Sequence, residues 1–531
     1  MKVQVFKDEK MIRELPPKSS VDLDNDWMII EGKDGTKKMK CSDFIGSSLH
    51  NNLFFDNVGE LMNADSPTEG SVLCTKGYNN PDDGGGAQYN IIYAPAMIPN
   101  NYTSFPLTQR SVLRAVLNVE GSVRPEQIGA VGDGVIDDSE AIKRLFGLEY
   151  PIEFISKKKY KISQNISIPD NSFIDFNGAT IILTNSAYIN ISNKKNITIT
   201  NLKLETKLGR GLYIKNSSNI KFINCEINNI ADTNYGIDIV DSNDISIIDS
   251  KFINKESGGR AINIHGEVQT DIPSIYNIYI SGCRFEYLKE CIYISGLVKM
   301  DFIHISECIF GFKVTPDTGY DAIVNYAPYS NLMINDIKIY GGSKLLNIGS
   351  GCKSFVGLSN LTVENTNDIY SLAGDVECIV HLSGYNRYIN TSSIERYVFR
   401  SIKTGLMLNA NFEIKGYTNI YPNTSHTGFI NDASLPERYM LTNKINVSLD
   451  DTNGRLTFAD FRNAYINITG VTNISSISRG IDGQVIQLVS DKNIILKANI
   501  PNLDLFESND ITLHKYKGIK LVSVNGRWVQ I

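Results

Sequence analysis

No run in this chain approaches about 18 consecutive apolar residues, so no segment reads as a membrane-spanning helix. The opening residues, MKVQVFKDEK, lack the apolar stretch of a cleaved secretory signal. We therefore expect a soluble chain that is not exported by such a signal and does not insert into a membrane. Histidine is scarce, at six residues, and there is no Cys-x-x-Cys pair, which argues against a zinc site. No Gly-Lys-Ser/Thr follows the glycine-rich stretches, which excludes a phosphate loop. Helix-favouring runs are few, and a net charge of −6 gives no electrostatic reason to expect nucleic acid as a partner. No cofactor is expected. What is present is ample apolar material, 42% of 531 residues, in a chain too long for one ordinary domain.

That material is arranged as a repeat. Strand-like segments start with a small residue and alternating aliphatics at Leu212, Ile237, Ile262, Ile292 and Ile323, separated by 25, 25, 30 and 31 residues. A solenoid with loop insertions in two coils explains such spacing. A second alternation follows each first one, as NITI from Asn196, NIKF from Asn219, DISI from Asp244, NIYI from Asn277 and NLMI from Asn331. A third reads NCEI, DSKF, GCRF and ECIF, from Asn224, Asp249, Gly282 and Glu307. Three short period-two strands per coil predict an all-β, right-handed parallel β-helix, with alternate residues facing a dry core. Cys225, Cys283 and Cys308 share one slot of the third strand with Ser250, and Cys291 shares a small-residue slot with Gly211, Gly236, Ala261 and Ala322. The cysteines are thus expected to be reduced and structural.

Upstream, RPEQIGAVGDGVIDDSEAIKRLFG from Arg124 predicts a tight turn at Gly132 and Gly134 and a short helix, Ser139 to Phe146. Asp137 and Asp138 would accept hydrogen bonds from the first helical amides. Ala141, Ile142, Leu145 and Phe146 fall on one side, suited to plugging the end of a solenoid core. GAVGDGVIDDSEAI resembles the motif that opens pectate-lyase-superfamily β-helices, found in phage tailspikes and plant-type polygalacturonases. FFDNVGELMNADSPTEGSVLCTKGYNNPDDGGGAQYNII from Phe54 is similar to the head module of tailspikes: a short helix, a strand ending in a Gly-Tyr turn, then DGGGAQY opening another strand. The segment from Ser20, with a hairpin at Asp34-Gly35, resembles the adaptor of phage tail proteins. Too small to be stable alone, it should be completed by a partner or by sister chains. The last stretch, from Gly483, reads as a β-sandwich or barrel and looks like the C-terminal modules of tail fibres and tailspikes.

These resemblances imply a virion anchor over 1–46, a head module over 47–123, a β-helix over 124–380 and a C-terminal trimerisation or receptor-binding region over 381–531. They also imply a homotrimer on the phage tail, assembled in the host cytoplasm and attached to other tail or baseplate proteins through its N-terminus. The implied function is binding, and depolymerisation, of a bacterial surface polysaccharide. The alternatives are a non-enzymatic receptor-binding or structural tail protein, and a free pectinolytic enzyme, which the anchor-like segment disfavours.

Outward positions of the first strands place Tyr213, Asp238, Asn263, Tyr293 and Val324 in an axial row, with Lys215, His265 and Tyr326 beside them. Aromatic faces alternating with short polar groups suit a sugar chain. Tyr213, Asn263, His265, Tyr293 and Tyr326 are the candidate glycan-binding residues. Candidate catalytic residues are Asp238, Glu256, Arg260 and Glu290, with Asp232, Glu267 and Asp317 as further acids near strand ends. Carboxylates one or two rungs apart would match the separations of roughly 5 Å in retaining and 6.5–9.5 Å in inverting glycosidases. Plant-type polygalacturonases carry NTDG, then GDD, then GHG on successive coils. Here DTNYG has Tyr235 in the acid's place, Gly258-Gly259-Arg260 replaces the paired acids, and His265 lies in another context. Galacturonan hydrolysis by that constellation is not expected, and Arg260 reads as a group for a glycan carboxylate or phosphate, or as the base of a lyase.

Overall fold

A computed structural model describes residues 4–6, 27–32, 35–40, 54–206, 209–228, 230, 234–254, 258–267, 274–312, 320–372 and 378–389, strands between 397 and 469, and much of 473–531. The chain divides into two compact units, Met1–Gly132 with Glu140–Glu153, and Asp133–Ser139 with Phe154–Ile531.

In the first unit the expected hairpin forms, Trp27–Gly32 pairing antiparallel with Gly35–Lys40, and Gln4–Phe6 adds a third strand. A five-stranded sheet follows, containing Val72–Thr75, Gln88–Tyr93 and Leu113–Asn118. Its helix Val58–Met62 is capped by Asn57, whose side chain accepts from the Glu60 amide at 2.9 Å. Asp83 ties the turn before DGGGAQY together by accepting from the amides of Tyr78, Asn79, Asn80 and Gly85.

The motif at 124–147 forms as its residues require. Gly132 and Gly134 have φ of 66° and 78°, left-handed values that glycine adopts without strain. Asp137 accepts from the Ser139 amide at 3.1 Å as the helix Ser139–Phe146 begins, and Ala141, Ile142, Leu145 and Phe146 are buried. Asp133–Asp137 pairs in parallel with Lys159–Ile162 and so opens the solenoid.

Three parallel strands make each coil. The first strands stack into a ten-stranded ladder running from Ile166–Ser167 to Tyr397–Ile402, and the second and third join in a 21-stranded sheet. The register is the one the repeat dictates: Leu212 pairs with Ile237, then Ile262, Ile292 and Ile323 follow in the same row. Their neighbours Ile214, Ile239, Ile264 and Ile294 are fully buried. On the third strands Phe252, Phe285 and Phe310 stack at 5.1 and 4.8 Å between ring centres, within 8° of parallel.

Between the strands the chain turns through left-handed residues, and asparagine fills many of these because its amide bonds locally and tolerates positive φ. Asn196, Asn219, Asp244 and Asn277 have φ of 54–57°, and Asn219 donates to Asn196 at 2.9 Å. One second strand, Lys299–Ser306, escapes the sequence pattern because Phe302 occupies this slot, at φ 52°. The Cys225/Ser250/Cys283/Cys308 slot is buried, and its thiols are free. The Cys308 thiol reaches the Ser306 carbonyl at 3.1 Å and the Ser250 hydroxyl reaches the Ile248 carbonyl at 2.9 Å, so either residue makes the same bond. Burial pushes the Cys225 thiol up to about 11.

The ladders continue past residue 380, through Ile379–Ile389 to Gly405–Lys415. Beyond them Asn443–Ser448, Ala464–Thr469 and Val485–Ser490 are again parallel neighbours, and only then does the sheet turn antiparallel, through Gly518–Val524 and Arg527–Gln530. The sequence expectation of a sandwich or barrel concerned the stretch from Gly483, and there further sheets with antiparallel pairs do form, Val485–Ser490 with Gly518–Val524 and Gly518–Val524 with Arg527–Gln530. Period-two alternation reports which face is buried, not strand direction, so it does not distinguish these from the parallel pairs before them. Trp528 is fully buried.

Candidate functional site

The outer face of the ten-stranded ladder gathers charge and aromatic rings in two adjacent columns. One holds Tyr213, Asp238, Asn263, Tyr293, Val324 and Asn347 on successive rungs. The other, at the strand starts, holds Tyr235, Arg260, Glu290, Asp321 and Lys344, with Arg210 in the equivalent position one rung earlier. Each rung advances the column by about 4.8 Å. Small residues next to the strand starts keep the second column in line: a Cβ on Gly236 would meet the Ala261 carbonyl at 2.8 Å.

Asp238 is buried at the centre of one cluster. It accepts from Asn263 Nδ2 at 2.7 Å, pairs with Arg210 Nη1 at 2.8 Å, and lies 3.3 Å from His265 Nε2. Arg210 sits over the Tyr213 ring at 4.4 Å and the Tyr188 ring at 5.9 Å. Beside it Lys215 pairs with Glu267, which holds the Glu267 carboxyl below its usual range.

Further along, Arg260 pairs through Nε with Glu290, donates from Nη1 to the Tyr235 hydroxyl at 3.2 Å, and lies 4.0 Å over the Tyr293 ring. Tyr293 and Tyr326 are 5.9 Å apart. The Tyr326 ring packs against Gly349, where an added Cβ would fall 1.9 Å from the ring. Asp321 is the register neighbour of Glu290. Its Oδ2 accepts from Asn347 at 2.9 Å and from Lys344 at 3.4 Å, while Oδ1 is buried with no partner among the described residues. Burial raises the Asp321 carboxyl above the usual range, and the long Lys344 contact does not offset it.

The expected glycan-binding residues thus come together on one face, with a difference in exposure. Tyr213, Tyr293, His265 and Tyr326 reach solvent, whereas Asp238 and Asn263, expected in an open row, are buried beneath Arg210 and His265. Arg260 and Glu290 are adjacent. Glu256, Asp232 and Asp317 lie outside the described residues. Asp321, Lys344 and Arg210 were not singled out from sequence. The signal for them is the position two residues before the aligned aliphatic, which carries Arg210, Tyr235, Arg260, Glu290, Asp321 and Lys344 in turn.

No protein-family model matches the chain, and no curated protein matches it. Solved structures with a similar arrangement include the tailspike of Acinetobacter phage vb_AbaP_AS12, at 14% identity and a TM-score of 0.48 over 81% of this chain and 74% of that one. The Acinetobacter baumannii phage Fri1 tailspike, described as a capsular polysaccharide depolymerase, is similar at 11% identity and a TM-score of 0.34, over 69% of this chain and 70% of that one. So is PfbA, a surface adhesin of Streptococcus pneumoniae, at 12% identity and 0.36, over 77% and 98%. The solenoid itself stands on the strand register described above.

Proposed function

We propose that this chain is a phage tailspike that binds a bacterial surface polysaccharide along the outer face of the ten-stranded ladder and hydrolyses it there. The observation that carries the reading is the row of partly exposed rings, Tyr213, Tyr293 and Tyr326, interleaved with paired charges over several rungs in line. Rings bury the apolar faces of sugars while the polar groups between them meet hydroxyls. Residues 1–46 serve as the virion anchor, 47–123 as the head, and three copies assemble through the shaft and C-terminal region.

Cleavage is assigned to Glu290 and Asp321. One rung places them about 5 Å apart, the separation of a retaining pair. Asp321, which burial favours in its neutral form, gives its proton to the glycosidic oxygen as the bond to the anomeric carbon breaks and its electron pair passes to that oxygen. Glu290, held by Arg260, adds a carboxylate oxygen to the anomeric carbon. Water then attacks that carbon, Asp321 takes the water's proton, and Glu290 leaves as carboxylate. The burial of Asp321 Oδ1 favours a second reading, a receptor-binding tail protein without cleavage on the same scaffold.

Purified surface polysaccharides incubated with the chain decide between these. Release of reducing ends supports the hydrolase, an ultraviolet-absorbing unsaturated product would replace it with a lyase, and tight binding without product would leave the binder.

A further inference from the structure

Arg210, Arg260 and Lys344 are more exposed than the acids that pair with them, whereas Lys215 is less exposed than Glu267. Arg210 has 39% of its side chain exposed against 2% for Asp238, Arg260 31% against 17% for Glu290, and Lys344 17% against 6% for Asp321. At these three pairs a ligand approaching from solvent meets guanidinium or ammonium before carboxylate. Each guanidinium also lies over two rings, Arg210 at 4.4 Å from Tyr213 and 5.9 Å from Tyr188, Arg260 at 4.0 Å from Tyr293 and 5.6 Å from Tyr235. Five N–H donors are available on each. Arg260 uses Nε and Nη1, and Arg210 uses Nη1, which leaves Nη2 of Arg260 and Nε and Nη2 of Arg210 without partners among the described residues. Asn263, on the Arg260 strand, has a buried Oδ1 that likewise lacks a donor among the described residues.

We propose that the polysaccharide is anionic, and that Arg210 and Arg260 bind its carboxylate, sulfate or phosphate groups two rungs apart. This deepens the polysaccharide-binding reading and rests on it. The rung spacing sets the separation of the two anionic groups at roughly 10 Å. A guanidinium fork packed over an aromatic ring keeps N–H donors for the paired oxygens of a carboxylate, sulfate or phosphate.

Crystals of the full chain soaked separately in D-glucuronate, inorganic sulfate and D-glucose at equal concentration test this directly. We expect the carboxylate and the sulfate within hydrogen-bonding distance of both arginines and no glucose there; Arg260→Gln should lose its own anion and keep the one at Arg210. Anions at neither arginine, or glucose seated equally well, would overturn the proposal. A second measurement separates it from the reading beneath it. Affinity for an acidic bacterial polysaccharide should fall at least tenfold on carboxyl reduction and decline with added salt. Binding to a neutral polysaccharide with no salt dependence would sink the anionic claim and keep the glycan-binding function. Anions at the arginines with no polysaccharide bound at all would sink the glycan-binding function, and the proposal with it.

Discussion

Glu290 and Asp321 occupy the same position on neighbouring rungs yet sit in different surroundings, one against a guanidinium and the other buried. Such divergence is how two carboxyls take different roles in one reaction. Glu290→Gln should lower the cleavage rate by about 10²–10⁴-fold while leaving affinity for the polysaccharide near that of the parent; equal cleavage by the variant would remove Glu290 from the reaction. Asp321 has a second consequence, in stability. Its folded pKa lies above the unfolded value, so the folded chain holds the proton more tightly and this group's contribution is lost as pH rises through the folded pKa. Asp321→Asn should therefore gain thermal stability relative to the parent at neutral pH, with the gap closing in acid. A gap that widens in acid would contradict the burial argument. Tyr213, Arg260, His265 and Glu290 were legible in the sequence because they follow the repeat. Asp321 was not, because the role proposed for it rests on its burial and its neighbour across a rung, which no single strand displays.

At the scale of the strand, the sequence reading was strongest where two signals coincided. Alternating aliphatics marked the buried face, and an asparagine or aspartate at a left-handed turn marked where each strand begins, as at Asn196, Asn219 and Asp244. Where Phe302 takes that turn, the second signal vanished and one second strand went unread. The stacked rings of Phe252, Phe285 and Phe310 connect three coils through the core. Phe285→Ala removes the middle ring and should cost about 3–5 kcal/mol. Because each coil touches only its neighbours, the loss should appear in hydrogen exchange as opening confined to those coils. Uniformly faster exchange along the whole solenoid would count against that picture.

At the scale of the molecule, the second-strand ladder leaves Tyr279, Phe302, Tyr329, Met333 and Phe355 exposed, large apolar side chains on one ladder of the kind that marks interaction surfaces. The proposed assembly covers such a surface with sister chains, and light scattering from the purified protein should return the mass of three chains. A mass of one chain would exclude it. The solenoid was legible as a whole because its period is written in consecutive residues. In the C-terminal region the β-strands were legible but not their direction, since alternation alone does not fix it.

The coil lengths themselves carry a last consequence. First strands 25, 30 and 31 residues apart in sequence pair in one unbroken register, from Leu212 to Ile323. The ladder therefore keeps its register while five or six extra residues are spliced between rungs. Folding instructions reside in the strands, so the connections between them can vary in length like interchangeable cassettes without redesigning the shaft that carries them.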